Sequence, residues 1–241
     1  MYDKRFDGRK AEQLRPIEAK VGVIKQADGS ASFRIGKTWA LAAVYGPREL
    51  HPKFLQNPAT GILRCNYNMM PFSGMGDRVR PGGNRRAKEL SMVTEKSLLP
   101  VLDLKKYPNA VVDVFIELPQ TDAGSRCAGI CAASMALADA GIEMKDLVCA
   151  VAVGHVDNNI ILDLTYEEEH YPEYAKDKVE NPEVADIAVS LLPNSNGITL
   201  LQMDGIITKE KLHKALELAK NGAKQIFEIQ KTALKEKYKG E

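Results

Sequence analysis

Residues suited to chemistry gather in three places along the 241-residue chain. The first is Thr121-Asp122-Ala123-Gly124-Ser125-Arg126, which follows an alternating apolar stretch and precedes a run of small residues. Glycine lets an anion approach the backbone, serine offers a hydroxyl, and arginine offers a two-pronged donor at the positive end of a helix. Together they would form a pocket for a single phosphate. The competing reading is an ordinary helix start capped by Ser125. Neither GxxxxGK[ST] nor GxGxxG occurs, which disfavours the nucleotide folds built on those patterns.

The second place is the stretch Gly74 to Lys88, with Arg78, Arg80, Arg85, Arg86 and Lys88 among glycines and Asp77 as its acid. If Asn84 caps the following helix, Arg85 and Arg86 stand in its first turn, where the helix dipole disfavours cations by a few tenths to ~1 kcal/mol. Such a placement suits a phosphate, either a free anion or an RNA backbone. A solvated loop is the alternative. The third place is Asp163, in Ile160-Ile161-Leu162-Asp163-Leu164, whose alternation puts Asp163 on the face opposite Ile160, Leu162 and Leu164. Glu167, Glu168 and Glu169 follow, so carboxylates collect where a strand ends, as a Mg²⁺ site or a general acid requires. Residues 173 to 183 read as an exposed acidic insertion. His51, His155, His170 and His213 are scattered, and none is assigned a catalytic task.

The elements that must position these residues alternate in a pattern that occurs roughly twice, an α+β arrangement. Lys20 to Gln26 and Ser30 to Ile35 flank an Asp28-Gly29 hairpin signal, and Thr38 to Tyr45 and Ile62 to Met70 follow as strands. A helix is expected from Arg85 to Leu99, ended by Pro100, and a half-buried strand over Val112 to Leu118. The helix from Ala123 to Ala140 is rich in Ala, Gly, Ser and Cys, so a sheet can approach it closely. A second meander is expected over 147 to 153, 160 to 164, 185 to 192 and 198 to 203, with Asp204-Gly205 as a turn. A last amphipathic helix runs from Thr208 to Lys235.

Composition narrows the class. With 33 Lys+Arg against 32 Asp+Glu the formal charge is +1, so a polyanion must be held by a local patch rather than by the chain as a whole. The longest apolar runs fall far short of the ~20 residues that cross a bilayer. The start lacks an export signal, and a cytoplasmic protein is expected. Cys65, Cys127, Cys131 and Cys149 lack metal-site spacing and are expected to be buried thiols.

The ordered motifs resemble the RNase PH family. They include Asp7-Gly8-Arg9, Leu14-Arg15-Pro16-Ile17, Ala27-Asp28-Gly29-Ser30-Ala31, Val44-Tyr45-Gly46-Pro47, Pro71-Phe72-Ser73, Arg85-Arg86 with Glu89-Leu90-Ser91, Gln120 to Arg126, Ala138 to Ile142, and Leu162-Asp163-Leu164. The resemblance covers nearly the whole chain and is strongest to catalytic exosome-ring members. It implies a single RNase PH-type domain over 1–241, halves at about 14–145 and 146–241, with duplicated βαβ units of the ribosomal-protein-S5-domain-2-like kind. It implies 3′-to-5′ phosphorolysis of single-stranded RNA, with inorganic phosphate as co-substrate and nucleoside 5′-diphosphates as products.

By the same resemblance Gly124, Ser125 and Arg126 hold phosphate, and Arg85, Arg86 and Arg80 grip RNA. Asp163, Glu169 and Asp186 are the candidate catalytic acids, and Asp163 and Asp186 the candidate Mg²⁺ ligands. The implied partners are a sister RNase PH-like subunit in an alternating hexameric ring and RNA-binding cap subunits. The alternatives are a non-catalytic ring subunit and a homohexameric ribonuclease PH acting on tRNA ends. Two positions depart from the family pattern: Glu169 stands where an aspartate is usual, and Asn66-Tyr67-Asn68-Met69 replaces Arg-Tyr-His-Met.

Overall fold

The computed structural model describes residues 4–75, 79–80, 83–174 and 183–239. Two sheets and the helices between and beside them form an α+β fold. The first sheet has the order β1-β2-β3-β5-β4, from β1 (Ile17–Val21), β2 (Gly29–Ile35), β3 (Thr38–Glu49), β4 (Ile62–Met69) and β5 (Ala110–Gln120). β4 and β5 run parallel, and helix α1 (Arg85–Leu98) lies between them in the chain, which makes a βαβ crossover. The second sheet has the order β7-β6-β8-β9, from β6 (Cys149–Val156), β7 (Asn159–Leu162), β8 (Val184–Leu192) and β9 (Gly197–Gly205). Its pairings among the described residues are antiparallel, so the halves share layering rather than connection.

Helix α2 (Ser125–Asp139) joins the two sheets, and its small residues explain how. Almost every side chain along it is buried, and it packs against strands of both sheets. At Gly129 a Cβ atom would come within 2.8 Å of the Tyr67 ring, so only glycine lets β4 seat at this distance. The long helix α5 (Lys209–Lys239) covers β6 with Ala215, Ala219, Ala223 and Ile226. Buried residues of both halves form one continuous cluster. All four cysteines are buried free thiols.

Three local expectations are corrected. The β1–β2 hairpin forms as expected, but its connection spans residues 22–28 instead of a tight turn at Asp28-Gly29: β1 ends at Val21, and Asp28 accepts a 2.7 Å hydrogen bond from the Gly46 amide of β3. Asp204-Gly205 is not a turn either, because both residues pair with Asp186 and Ala185 inside the sheet. Gly205 takes φ +98°, where a Cβ would meet the Val184 carbonyl at 2.3 Å. The strand expected over 160 to 164 stops at Leu162, and Asp163 turns with φ +56°. Of the expected insertion, 173–174 belong to the short helix α4 (Tyr171–Tyr174), and 175–182 lie outside the described residues.

Candidate active site

Strand β5 delivers the chain to Thr121, and Gly124 then turns it into α2. Gly124 caps that helix with φ +66°, a left-handed conformation suited to glycine, and no side chain caps the first turn. Ser125 is therefore not the cap, and the helix start remains available to an anion. A small recess of about 50 Å³ forms there, bounded by Gly124, Ser125, Arg126, Arg86, Glu169 and Asp186. The Gly124 amide makes a long 3.4 Å hydrogen bond to Glu169 Oε1, so a carboxylate now sits where an anion would bind. The three residues expected to hold phosphate thus share one wall with two of the expected acids.

Arg86 reaches the recess because α1 starts beside it. The Asn84 side chain caps α1 by accepting from the Ala87 amide at 2.7 Å, which fixes Arg85 and Arg86 in the first turn as expected. Both line a larger cavity of about 690 Å³ that is continuous in its walls with the recess through Arg86, Arg126, Glu169 and Asp186. Asp204 completes the acidic side of this cavity, opposite the three arginines in sign. Arg80 is exposed and is not among the cavity-lining residues, so the structure does not group it with Arg85 and Arg86. Arg78 and Asp77 lie outside the described residues.

The acidic pair is held in an unfavourable state. Burial and then the Asp186 charge push Glu169 up to about 8, against weaker help from the Gly124 amide, Arg15 and Arg126. Burial also raises Asp186, which Asp204 pushes further and Arg126 opposes. Asp186 and Asp204 face each other directly across β8 and β9, a like-charge pairing that sheets ordinarily avoid. Asp186 Oδ1 is buried without a hydrogen-bond partner. A hard divalent cation would satisfy this orphaned oxygen and relieve the repulsion, so the donor chemistry of Glu169 and Asp186 fits Mg²⁺ with water completing its shell.

The raised Glu169 has a sign that can be tested. Unfolded, it releases its proton near the ordinary 4.5, whereas folded it retains that proton to about 8, so folding loses stability as pH rises between those values. Glu169→Gln should therefore melt increasingly above the wild type as pH is raised from 5 to 8 in metal-free buffer. A difference in melting temperature that stays flat across this range would show that Glu169 ionises freely.

Asp163 is not part of the reacting surface. It is 2% exposed, and both carboxylate oxygens are occupied: Oδ2 accepts from the Arg15 amide at 2.8 Å and Nε at 2.9 Å, and Oδ1 from an Arg15 terminal nitrogen at 2.6 Å. Arg9 adds a 3.2 Å contact to Oδ2. Buried beneath two guanidinium groups and absent from the lining of the cavity and the recess, this carboxylate is not presented to a metal or substrate there. The catalytic and metal assignments of Asp163 are thus corrected; the carboxylates that line the cavity are Glu89, Glu169, Asp186 and Asp204, and of these Glu169 and Asp186 also wall the recess.

Sequence reading missed the network around Asp163. Arg15 bonds Asp122 at 3.1 Å, Asp122 accepts from the Tyr166 amide at 3.2 Å, and Arg5 clasps Glu168 with contacts of 2.9 and 2.7 Å. These bonds tie the phosphate loop to the short helix α3 (Tyr166–Glu169), which carries Glu169. Asp204 and His170, also in the cavity wall, were missed too. The first was disguised by its Asp-Gly context, and the second carried only its four-residue spacing from Tyr166.

The chain matches known proteins along nearly its whole length. Residues 13–143 match the first domain of the 3′ exoribonuclease family, RNase PH, and residues 146–222 match its second domain. The chain belongs to the 3′ exoribonuclease family. This exoribonuclease is 54% identical to the exosome complex component Rrp41 of Thermococcus kodakarensis over 235 residues, 98% of this chain and 90% of that protein. It is 47% identical to the component of the same name from Methanopyrus kandleri, over 98% of this chain and 94% of the relative. Its fold superposes on the crystal structure of rice Rrp46 with a TM-score of 0.80 and 25% identity, covering 95% of this chain and all of that one.

Proposed function

We propose that this exoribonuclease is a catalytic ring subunit of an exosome, which removes nucleotides from RNA 3′ ends with inorganic phosphate rather than water. The observation that carries this reading is the convergence of Arg126, Arg86 and the uncapped start of α2 on a recess that also contains Glu169 and Asp186.

In this account the attacking phosphate lies at Gly124, Ser125 and Arg126, held by backbone amides, a hydroxyl and a guanidinium. Arg85 and Arg86 hold the RNA backbone, placing the last phosphodiester in line with it. An oxygen of the phosphate bonds to the phosphorus, the bond from phosphorus to the 3′ oxygen of the preceding nucleotide breaks, and that oxygen takes up a proton. A nucleoside 5′-diphosphate and an RNA one nucleotide shorter result. Glu169 and Asp186 would hold Mg²⁺, which when bound supplies charge neutralisation at the phosphoryl oxygens. Arg86 and Arg126 offset the charge of two anions brought together, and the attacking phosphate, entering as hydrogen phosphate, carries the proton that the leaving oxygen takes up. Positioning and electrostatics supply most of such catalysis.

RNA grip from Arg85 and Arg86 alone covers one side of the substrate, which favours a site shared across a ring interface. The partners proposed are a sister RNase PH-like subunit in an alternating hexamer, and RNA-binding cap subunits above it. A cytoplasmic setting is proposed as well; no helix among the described residues is long and apolar enough to cross a membrane. The purified chain should be weakly active alone, and phosphate-dependent shortening of a 5′-labelled RNA should rise at least tenfold on mixing with the sister subunit. Full activity from a homohexamer of this chain would reassign it to the self-assembling branch of the family.

A further inference from the structure

His170 follows Glu169 directly and lines the large cavity beside Arg85, Arg86, Asp186 and Asp204. Its ring lies on that of Tyr166, with centroids 4.1 Å apart and planes inclined by 27°. The ring is also tethered at its edge, since Nδ1 lies 2.9 Å from the Tyr166 carbonyl. A carbonyl oxygen only accepts, so Nδ1 carries a proton and donates it there. The four-residue spacing brings the two rings together on one helical turn. Tyr166 is itself anchored through its amide to Asp122, immediately before the phosphate loop. The result is a flat ring, backed by a second ring and held in register with Gly124 to Arg126.

We infer that His170 is a stacking plate for the base of the 3′-terminal nucleotide. This rests on the proposed reading of the cavity as the seat of an RNA 3′ end. In that reading the terminal phosphorus lies by the recess that Glu169 helps to wall. The next residue along the chain then meets the nucleoside attached to that phosphorus. Stacking suits an exonuclease that meets every base in turn, because every base has a π-face and the plate holds each terminal base without selecting among them. The Tyr166 ring behind it keeps the plate from yielding when a base presses on it.

The test uses the protein in its active assembly and two RNAs of equal length, one intact and one abasic at its 3′-terminal nucleotide. His170→Ala should lower kcat/KM on intact RNA about tenfold, within the range measured for base–aromatic stacking. His170→Phe, which keeps the plate but not the ring nitrogens, should retain most of the wild-type value. On the abasic RNA, wild type and His170→Ala should be equal. Equal loss by His170→Ala on both RNAs, or His170→Phe as poor as His170→Ala, would overturn the inference. The double variant Arg85→Ala/Arg86→Ala separates the two levels. If it binds RNA as the wild type does, the cavity is not the RNA site and the functional reading fails. If it loses affinity while His170→Ala behaves as wild type, the plate alone is wrong.

Discussion

Replacing Asp163 by Asn should destabilise the protein by about 3 to 5 kcal/mol, the usual effect of removing one partner from a buried ion pair. For a chain of this size that lowers the melting temperature by roughly 6 to 20 °C. Asparagine preserves the shape of the side chain but leaves Arg15, itself 5% exposed, with Asp122 as its one remaining ion pair and Glu169 as a weaker counter-charge. It also places an amide group where two guanidinium groups require an acceptor. The loss of activity that accompanies this change should be recovered in part at low temperature, where the fold persists. Calorimetry alongside activity at 10 °C and 37 °C distinguishes the cases. A variant with wild-type stability and no turnover at either temperature would restore Asp163 to the reacting surface.

Asp186→Asn should do the opposite. Its carboxylate has a buried oxygen without a partner, faces Asp204 across the strands, and is held above the usual carboxylate range by burial. Its charge therefore opposes folding at neutral pH, and removing it should leave the melting temperature unchanged or raised. Turnover should nonetheless fall by at least 10² to 10³, the range seen when one preorganised electrostatic group is removed from an active site. RNA affinity should hold or tighten, because a negative charge near the backbone has gone. Retention of more than a tenth of wild-type turnover at saturating phosphate and Mg²⁺ would move the essential carboxylate to Glu169 or Asp204.

The contrast between these two aspartates shows what could be read from the sequence. The placement of Gly124-Ser125-Arg126 and Arg85-Arg86 was legible because it depends on local geometry: a helix start, its cap and the residues of its first turn. Most strands and the three long helices were legible to within a few residues for the same reason, whereas β1 ends five residues early and the short helices α3 and α4 gave no periodic signal. Asp163 was misplaced because alternation assumes that the strand continues, whereas the residue turns left-handed and meets arginines 148 and 154 positions away. Three N-terminal arginines in a polar stretch look like solvated charge until the fold closes over them. Asp204 was hidden for a related reason, since Asp-Gly is a strong turn signal that the pairing of β8 with β9 overrides. Glu169 and Asp186 are separated by an insertion in sequence, and only the fold shows that both wall the same recess.

In the proposed reaction an inorganic phosphate at Gly124, Ser125 and Arg126 attacks the RNA 3′ end opposite Glu169 and Asp186. The most direct measurement supplies the active assembly with RNA, Mg²⁺ and isotopically labelled inorganic phosphate, and identifies the released nucleotide by mass. The account predicts nucleoside 5′-diphosphates carrying the label in the β-phosphate, no release without phosphate, and loss of the product in Arg126→Ala. Release of nucleoside monophosphates at an undiminished rate in phosphate-free buffer would contradict it.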